Sequence, residues 1–229
     1  MQGVVRTCLL LGGIAACHAA DPNNTVDAAP PIGDGSNMVD EGLQLTWSSS
    51  PAIPGMATDD VTVSSLLFRI SNLRVIGDAG PGDDRTSVNS IQVAWSQGAT
   101  PPAVDFANAP TGLYSHLVFL ADGNLTDYSY EITGTAKVGG NVMPFAIHDR
   151  SPLPISLDTS TTLEPNQATS LAIVVHLDQA LQSVDWSKLG TNNGTLTLDT
   201  FDSAMSDFRG KMINNVFSTD HSDGRTDSH

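Results

Sequence analysis

From Gly42 onward, apolar and polar residues alternate with period two, the mark of strands that bury one face. "GLQLTW" sets Leu43, Leu45 and Trp47 on one face, with Gln44 and Thr46 opposite. "DVTV" continues with Val61 and Val63. "SLLFRISNLRVIG" is the longest candidate. Leu66, Phe68 and Ile70 share one phase and Leu73 and Val75 the other, so the phase slips at Ser71-Asn72, as one extra residue in a β-bulge would make it. "VNSIQVAW" alternates through Ile91, Val93 and Trp95, and "GLYSHLVFLADG" is a further strand ended by the turn pair Asp122-Gly123. "YSYEITGTAKVGG" alternates through Tyr128, Tyr130 and Ile132, and "GGN" turns a hairpin into "VMPFAIHD". After "LPISLD", the nearly continuous apolar run "SLAIVVHL" predicts a central strand covered on both faces.

Two later stretches switch to helical spacing. "DQALQSVDWSKL" carries Leu181, Val184 and Leu189, with Asp178 placed to cap it. "DSAMSDFRGKMINNVF" carries Met205, Phe208, Met212 and Val216 three or four residues apart. Many short strands split by Gly, Pro and Asn turns, followed by these helices, predict a mainly β fold: an antiparallel β-sandwich over 42–217 with one or two short C-terminal helices. A closed barrel is the alternative. The polar residues 218–229 predict a disordered tail.

The chain before Gly42 has a different pattern. One positive side chain, Arg6, precedes a short apolar run, "TCLLLGGIAA", which is the order of a secretory signal and too short for a stable span. Two processing readings are open. An ordinary cut after Ala19 places a tolerable Cys17 three residues back. Alternatively Ile14-Ala15-Ala16-Cys17 resembles a bacterial lipobox, with 1–16 as signal peptide and Cys17 as the lipidated N-terminus. The lipobox resemblance implies several acyl chains on Cys17, which anchor stably where one does not. It also implies outer-membrane sorting, because His18 rather than Asp follows. Cys8 and Cys17 are the only cysteines, so the exported domain has no thiol to mispair in an oxidising compartment. Residues 17–41 hold Pro, Gly, Asn and Asp with little apolar periodicity and read as a flexible tether.

With 25 acidic against 10 basic residues, the net charge of -15 disfavours nucleic acid and anionic lipid heads as partners. The membrane contact expected here runs through the N-terminal lipid, and an envelope protein is the expected macromolecular partner. There is no G-x-S-x-G, no phosphate-binding glycine loop, no H-E-x-x-H and no cysteine in the domain, which predicts a protein that is not an enzyme. Imidazole suits copper, nickel or zinc, so His116, His148 and His176, each on a predicted strand, are candidate metal ligands if they converge in space. Asp78, Asp83 and Asp84 could offer oxygens to calcium, without the spacing of an EF-hand. Asp149 and Asp105 are the carboxylates for a hydrolase of surface polymers, which would need them paired across a cleft. His148-Asp149-Arg150 reads as a polar turn at a strand end, and Trp47 and Trp95 fit core faces.

"GLQLTW", "LLFRISNLRV" and "APTGLYSHLVF" together resemble the MbnP-like family of bacterial periplasmic and surface proteins, over about residues 42–180. Arg69 departs from the aromatic residue usual before "iSn" in that family. "LEPNQATSLAIVVHL" is similar to the Leu-x-Pro entry into an apolar strand in other bacterial lipoprotein sandwiches. The resemblance implies a β-sandwich and an envelope location. It makes copper the candidate cofactor, although no ligand motif transfers residue by residue. The sequence thus predicts a non-catalytic lipoprotein with a binding or structural role, with copper binding and polymer hydrolysis as the alternatives.

Overall fold

The computed structural model describes residues 41–77, 84–123 and 126–220. The expected signal segment, Cys17, the expected tether up to Asp40, Asp78, Asp83 and residues 221–229 of the expected tail lie outside them.

The strand β3 (Val61–Gly77) is the spine of a nine-stranded sheet. On one side it pairs with β2 (Gly55–Thr58) and then β4 (Ser87–Trp95). On its other side Val61–Phe68 pairs with β7 (Tyr130–Val138), and Ile70–Gly77 with β6 (Gly112–Ala121). Next to β7 lies β8 (Asn141–Asp149), and next to β6 lies β9 (Leu153–Leu163). The sheet ends with β12 (Thr195–Asp199) on β8 and β11 (Gly190–Asn192) on β12. A four-stranded sheet holds β1 (Gly42–Ser49) between β5 (Val104–Phe106) and β10 (Ala168–Val175), with β13 (Phe217–Asp220) on the far side of β10. Two helices follow β10 and β12: α1 (Leu177–Leu181) and α2 (Met205–Asn215). Among the described residues the fold is mainly β, with two sheets, a curled half-barrel and two short helices.

Several expectations are met in detail. Asn72 adopts φ +52°, and the β3–β6 register shifts between Ser71 and Arg74, the bulge that the phase slip predicts. Gly139 and Gly140, at φ +57° and +86°, form the two-residue turn between Val138 and Asn141, in a region that L side chains resist. Met205, Phe208 and Met212 are the buried face of α2.

Other expectations are corrected. The strand pairs are not all antiparallel: β1 runs parallel to β10 and β12 parallel to β8. Both pairs join segments distant in sequence, where no hairpin dictates direction. The stretch 178–189 is not one helix. It is α1 followed by a separate 3-10 turn at Trp186–Lys188, because the Asp185 carboxylate accepts from the Ser187 amide and hydroxyl and starts a new turn. Asp178 lies in the first turn of α1 and is not its cap; His176 occupies the cap position, and its side chain makes no capping bond to the helix. In β10, Leu171, Ile173 and Val175 are buried, but Ala172 and Val174 are only half-buried, so one face is covered fully and the other in part. The tail does not begin at 218, since Ser218–Asp220 continue β13 along β10.

A run of aromatic rings joins the two sheets. Trp47 of β1 meets Phe119 of β6 edge-on at 5.9 Å, Phe119 meets Phe217 of β13 at 5.3 Å, and Phe217 meets Phe68 of β3 at 5.1 Å. Phe68 then touches Tyr130 of β7, and Tyr130 touches Phe208 of α2. Such contacts each add ~0.5–1.5 kcal/mol beyond area burial, and they carry packing continuously from the small sheet to the helix.

Candidate functional site

The larger sheet is interrupted at one level. β6 and β7 lie end to end along β3, and β8 and β9 lie end to end beside them. Both breaks fall at Arg69. Its amide donates to the Ser129 carbonyl at 3.0 Å and its carbonyl accepts from the Asp122 amide at 2.8 Å. The chain therefore leaves the sheet at Asp122 and rejoins it at Ser129, both bonded to a single β3 residue. The neck of this loop is tight: the Asp127 amide donates to the Gly123 carbonyl and the Gly123 amide to Ser129 Oγ. A Cβ at position 123 would collide with the Asp127 and Tyr128 backbone, so only glycine fits.

Beneath the break lies a buried ion pair. Phe145, Ile147 and Asp149 occupy successive inward positions of β8, so strand periodicity drives a carboxylate into the core. Asp149 is fully buried. Arg209 of α2 donates to both its oxygens, Nε to Oδ2 at 2.7 Å and Nη2 to Oδ1 at 2.9 Å. Tyr130 Oη donates to Oδ2 and the Ser151 amide to Oδ1. Burial alone pushes the Asp149 carboxyl up, but the hydrogen bonds from Arg209, Ser151 and Tyr130 and the Arg209 charge outweigh it and hold Asp149 below its ordinary value. Burial, and then the Asp149 charge, raise the Tyr130 phenol well above its usual range. The hydrogen bond to Asp149 raises the Arg209 guanidinium. Asp149 is thus a satisfied anion with its lone pairs engaged, and the pair fastens α2 to the sheet exactly where its ladder breaks.

The residues on either side of Asp149 face outward. The Tyr128 ring stacks on His148, with centroids 4.6 Å apart and planes 17° apart. The Arg150 guanidinium lies 4.5 Å from the Tyr128 centroid, within cation–π range, and Arg150 Nη1 donates to the Thr126 carbonyl. Arg69 Nη1 donates to the Tyr128 carbonyl and to Glu131, fixing the loop from below. Asp199, at the end of β12 and opposite His148 in the β8–β12 pair, bonds His148 Nδ1 at 3.3 Å, and Thr200 Oγ1, in the β12–α2 connection, accepts from the Arg150 amide at 2.8 Å. Asp202 accepts from the Asp199 amide, and between them Phe201 stands 96% exposed. Parts of three connections, 126–129, 150–152 and 200–204, thus meet beside the His148–Asp199 pair, in a surface that presents the Tyr128 ring, the Arg150 guanidinium and, next to Thr200, Phe201.

The three histidines singled out as metal ligands are given separate partners. His116 pairs with the exposed Asp158, His148 with Asp199, and His176 Nε2 with Ser218 Oγ at 2.8 Å. Among the described residues no group of three or more His, Cys, Asp or Glu side chains is placed to hold a metal ion. Asp105 lies on β5 in the smaller sheet, where it accepts from Gln44, and is not grouped with Asp149. Asp84 opens a short 3-10 turn before β4. His148-Asp149-Arg150 is more than the polar turn expected: one member is the buried anion and two belong to the outer surface. Arg209, Asp199 and Phe201 were not singled out from the sequence, and Tyr128, read there as a strand residue in phase with Tyr130, lies before β7 begins. A signal for the pair was present, since Asp149 falls in the apolar phase of β8 and Arg209 lies four residues after Met205 on α2. Comparisons with family models, curated proteins and solved structures found no match for this chain.

Proposed function

We propose that the chain is a non-catalytic lipoprotein of the bacterial outer membrane, anchored through Cys17, whose domain is a β-sandwich serving as a binding scaffold. The observation that carries the reading is the convergence of three connections on one rigid support. Recognition residues concentrate on loops held by a firm framework. Here Asp149–Arg209 supplies the framework, and Tyr128, Arg150 and Phe201 supply an outward aromatic and cationic surface. Aromatic residues and arginine are the side chains most enriched among those that dominate binding energy. The lipobox and the MbnP-like resemblance support the envelope setting and an envelope protein as partner. The copper and hydrolase alternatives need residues to converge that here have separate partners.

Two experiments test the reading. Globomycin should block maturation of the full chain, and Cys17→Ala should leave the membrane fraction; a Cys17→Ala chain that stays wholly with membranes would contradict lipid anchoring. Tagged full chain should retain an envelope partner that a Tyr128→Ala/Arg150→Ala/Phe201→Ser variant, matched in thermal stability, loses. If the variant holds the same partner equally well, this surface is not the recognition site.

A further inference from the structure

We infer that β4 is a dimerisation edge, on which a second copy of this chain adds its own β4 antiparallel and makes one sheet across a two-fold axis.

The edges of the two sheets are not alike. β5 and β11 are three residues long, β2 and β13 four, and β2 has a register irregularity against β3. The outer edge of β9 meets β13, where Thr219 Oγ1 donates to the Asp158 carbonyl. β4 is nine residues long, and among the described residues it pairs with β3 alone. Its register with β3 is unbroken from Leu66↔Trp95 to Arg74↔Ser87. Exposed edges are normally blunted by charge, proline, a bulge or a cover. β4 has no charged residue, no proline and no bulge.

The pairing pattern shows which groups are open. Arg69 directs both its amide and its carbonyl toward β6 and β7, so Phe68 and Ile70 direct theirs toward β4. Their partners Val93 and Ile91 bond back to β3. By alternation, the amides and carbonyls of Val88, Ser90, Gln92 and Ala94 point to the open edge.

Charge selects a second copy as the occupant. A chain of net charge -15 repels its own kind over most of its surface. From Thr86 to Val104 there is no Asp, Glu, Lys, Arg or His, so two copies meet here without like charges in register. A two-fold axis at Ile91 overlaps all nine residues. It sets Ser90 against Gln92 of the second copy and Val88 against Ala94, which pairs each open residue with an open one. The half-buried Ile91 then meets its own symmetry mate on the core side, lengthening an apolar row already present.

The test uses the full chain in detergent with Cys8 and Cys17 changed to Ser. Sedimentation should show a concentration-dependent dimer. In a non-hydrogen-bonded antiparallel pair the Cα atoms are about 4.5 Å apart, within disulfide reach, so Ile91→Cys should be trapped as a dimer by air oxidation. Ala94→Cys lies six residues from its mate in this register, roughly 20 Å along the strand, and should stay monomeric on a non-reducing gel. Gln92→Pro removes an open-edge donor without taking a bond from the β3–β4 ladder and should abolish the dimer. Ser90→Lys/Gln92→Lys, which sets lysine against lysine, should do the same with an unchanged monomer melting curve, and it stands in if the proline variant does not fold. A parent chain that is monomeric at every concentration overturns the inference, as does equal trapping of Ile91→Cys and Ala94→Cys or a dimer that survives both edge variants.

Discussion

Arg209 reaches across sixty residues of sequence to a carboxylate with no access to water, and this determines how each would respond to substitution. Arg209→Met leaves a buried uncompensated anion and should cost about 3–5 kcal/mol in urea unfolding. Adding Asp149→Asn keeps an acceptor for the Ser151 amide, turns an amide N–H toward Tyr130 Oη, which can accept it, and removes the anion, so the double variant should recover much of that loss. The pH dependence follows in sign. The folded carboxyl lies below its unfolded value of about 3.9, so its stabilisation is fully present above that pH and is lost as pH falls through the folded value. The urea midpoint of the parent should therefore drop in acid more steeply than that of the double variant; parallel curves would show that the pair does not govern acid stability. A second residue behaves oppositely. Trp47 Nε1 is buried without a hydrogen-bond partner among the described residues, so Trp47→Phe, which deletes that donor and keeps a ring against Phe119, should cost far less than the ~3–5 kcal/mol expected of Trp47→Ala.

At the scale of elements, what was legible in the sequence was what local pattern controls. Period two revealed β1 and β3, the apolar run after Ser170 revealed β10, the slip at Asn72 revealed the bulge, and the 3–4 spacing of Met205, Phe208 and Met212 revealed α2. What was illegible depends on partners far along the chain. The β1–β10 pair sets Gly42 against Ala168, a parallel match that no turn announces. β13 shows one apolar residue in "FSTD" and exists as a strand because β10 offers it an edge. The outer surface was hidden for the same reason, since Tyr128 lies just before β7 while His148 and Asp199 lie at the ends of β8 and β12, and only the sheet order brings the three together. The role of β13 is testable through that single apolar residue. Phe217 fills the space between Phe68 and Phe119, so Phe217→Ala should destabilise by ~3–5 kcal/mol and separate the sheets, a loss comparable to that of a central core residue. A cost under about 1 kcal/mol would mean that β13 is ornamental to the smaller sheet.

For the whole molecule, the separate partners of His116, His148 and His176 predict that desalted protein retains well under one copper per chain after equilibration. Near-stoichiometric copper that is lost on His148→Ala would reverse that expectation and revive the copper alternative. The interruption of the larger sheet has a further consequence for how such a chain can diversify. Because Asp122 and Ser129 both bond to Arg69 of β3, the length of chain between them is uncoupled from the frame of every strand around it. Lengthening a flexible loop is inexpensive, about 0.6 kcal/mol for each doubling. Foreign segments grafted between Gly123 and Tyr128 would therefore be displayed at a fixed anchorage, much as hypervariable loops are carried by an unchanging framework.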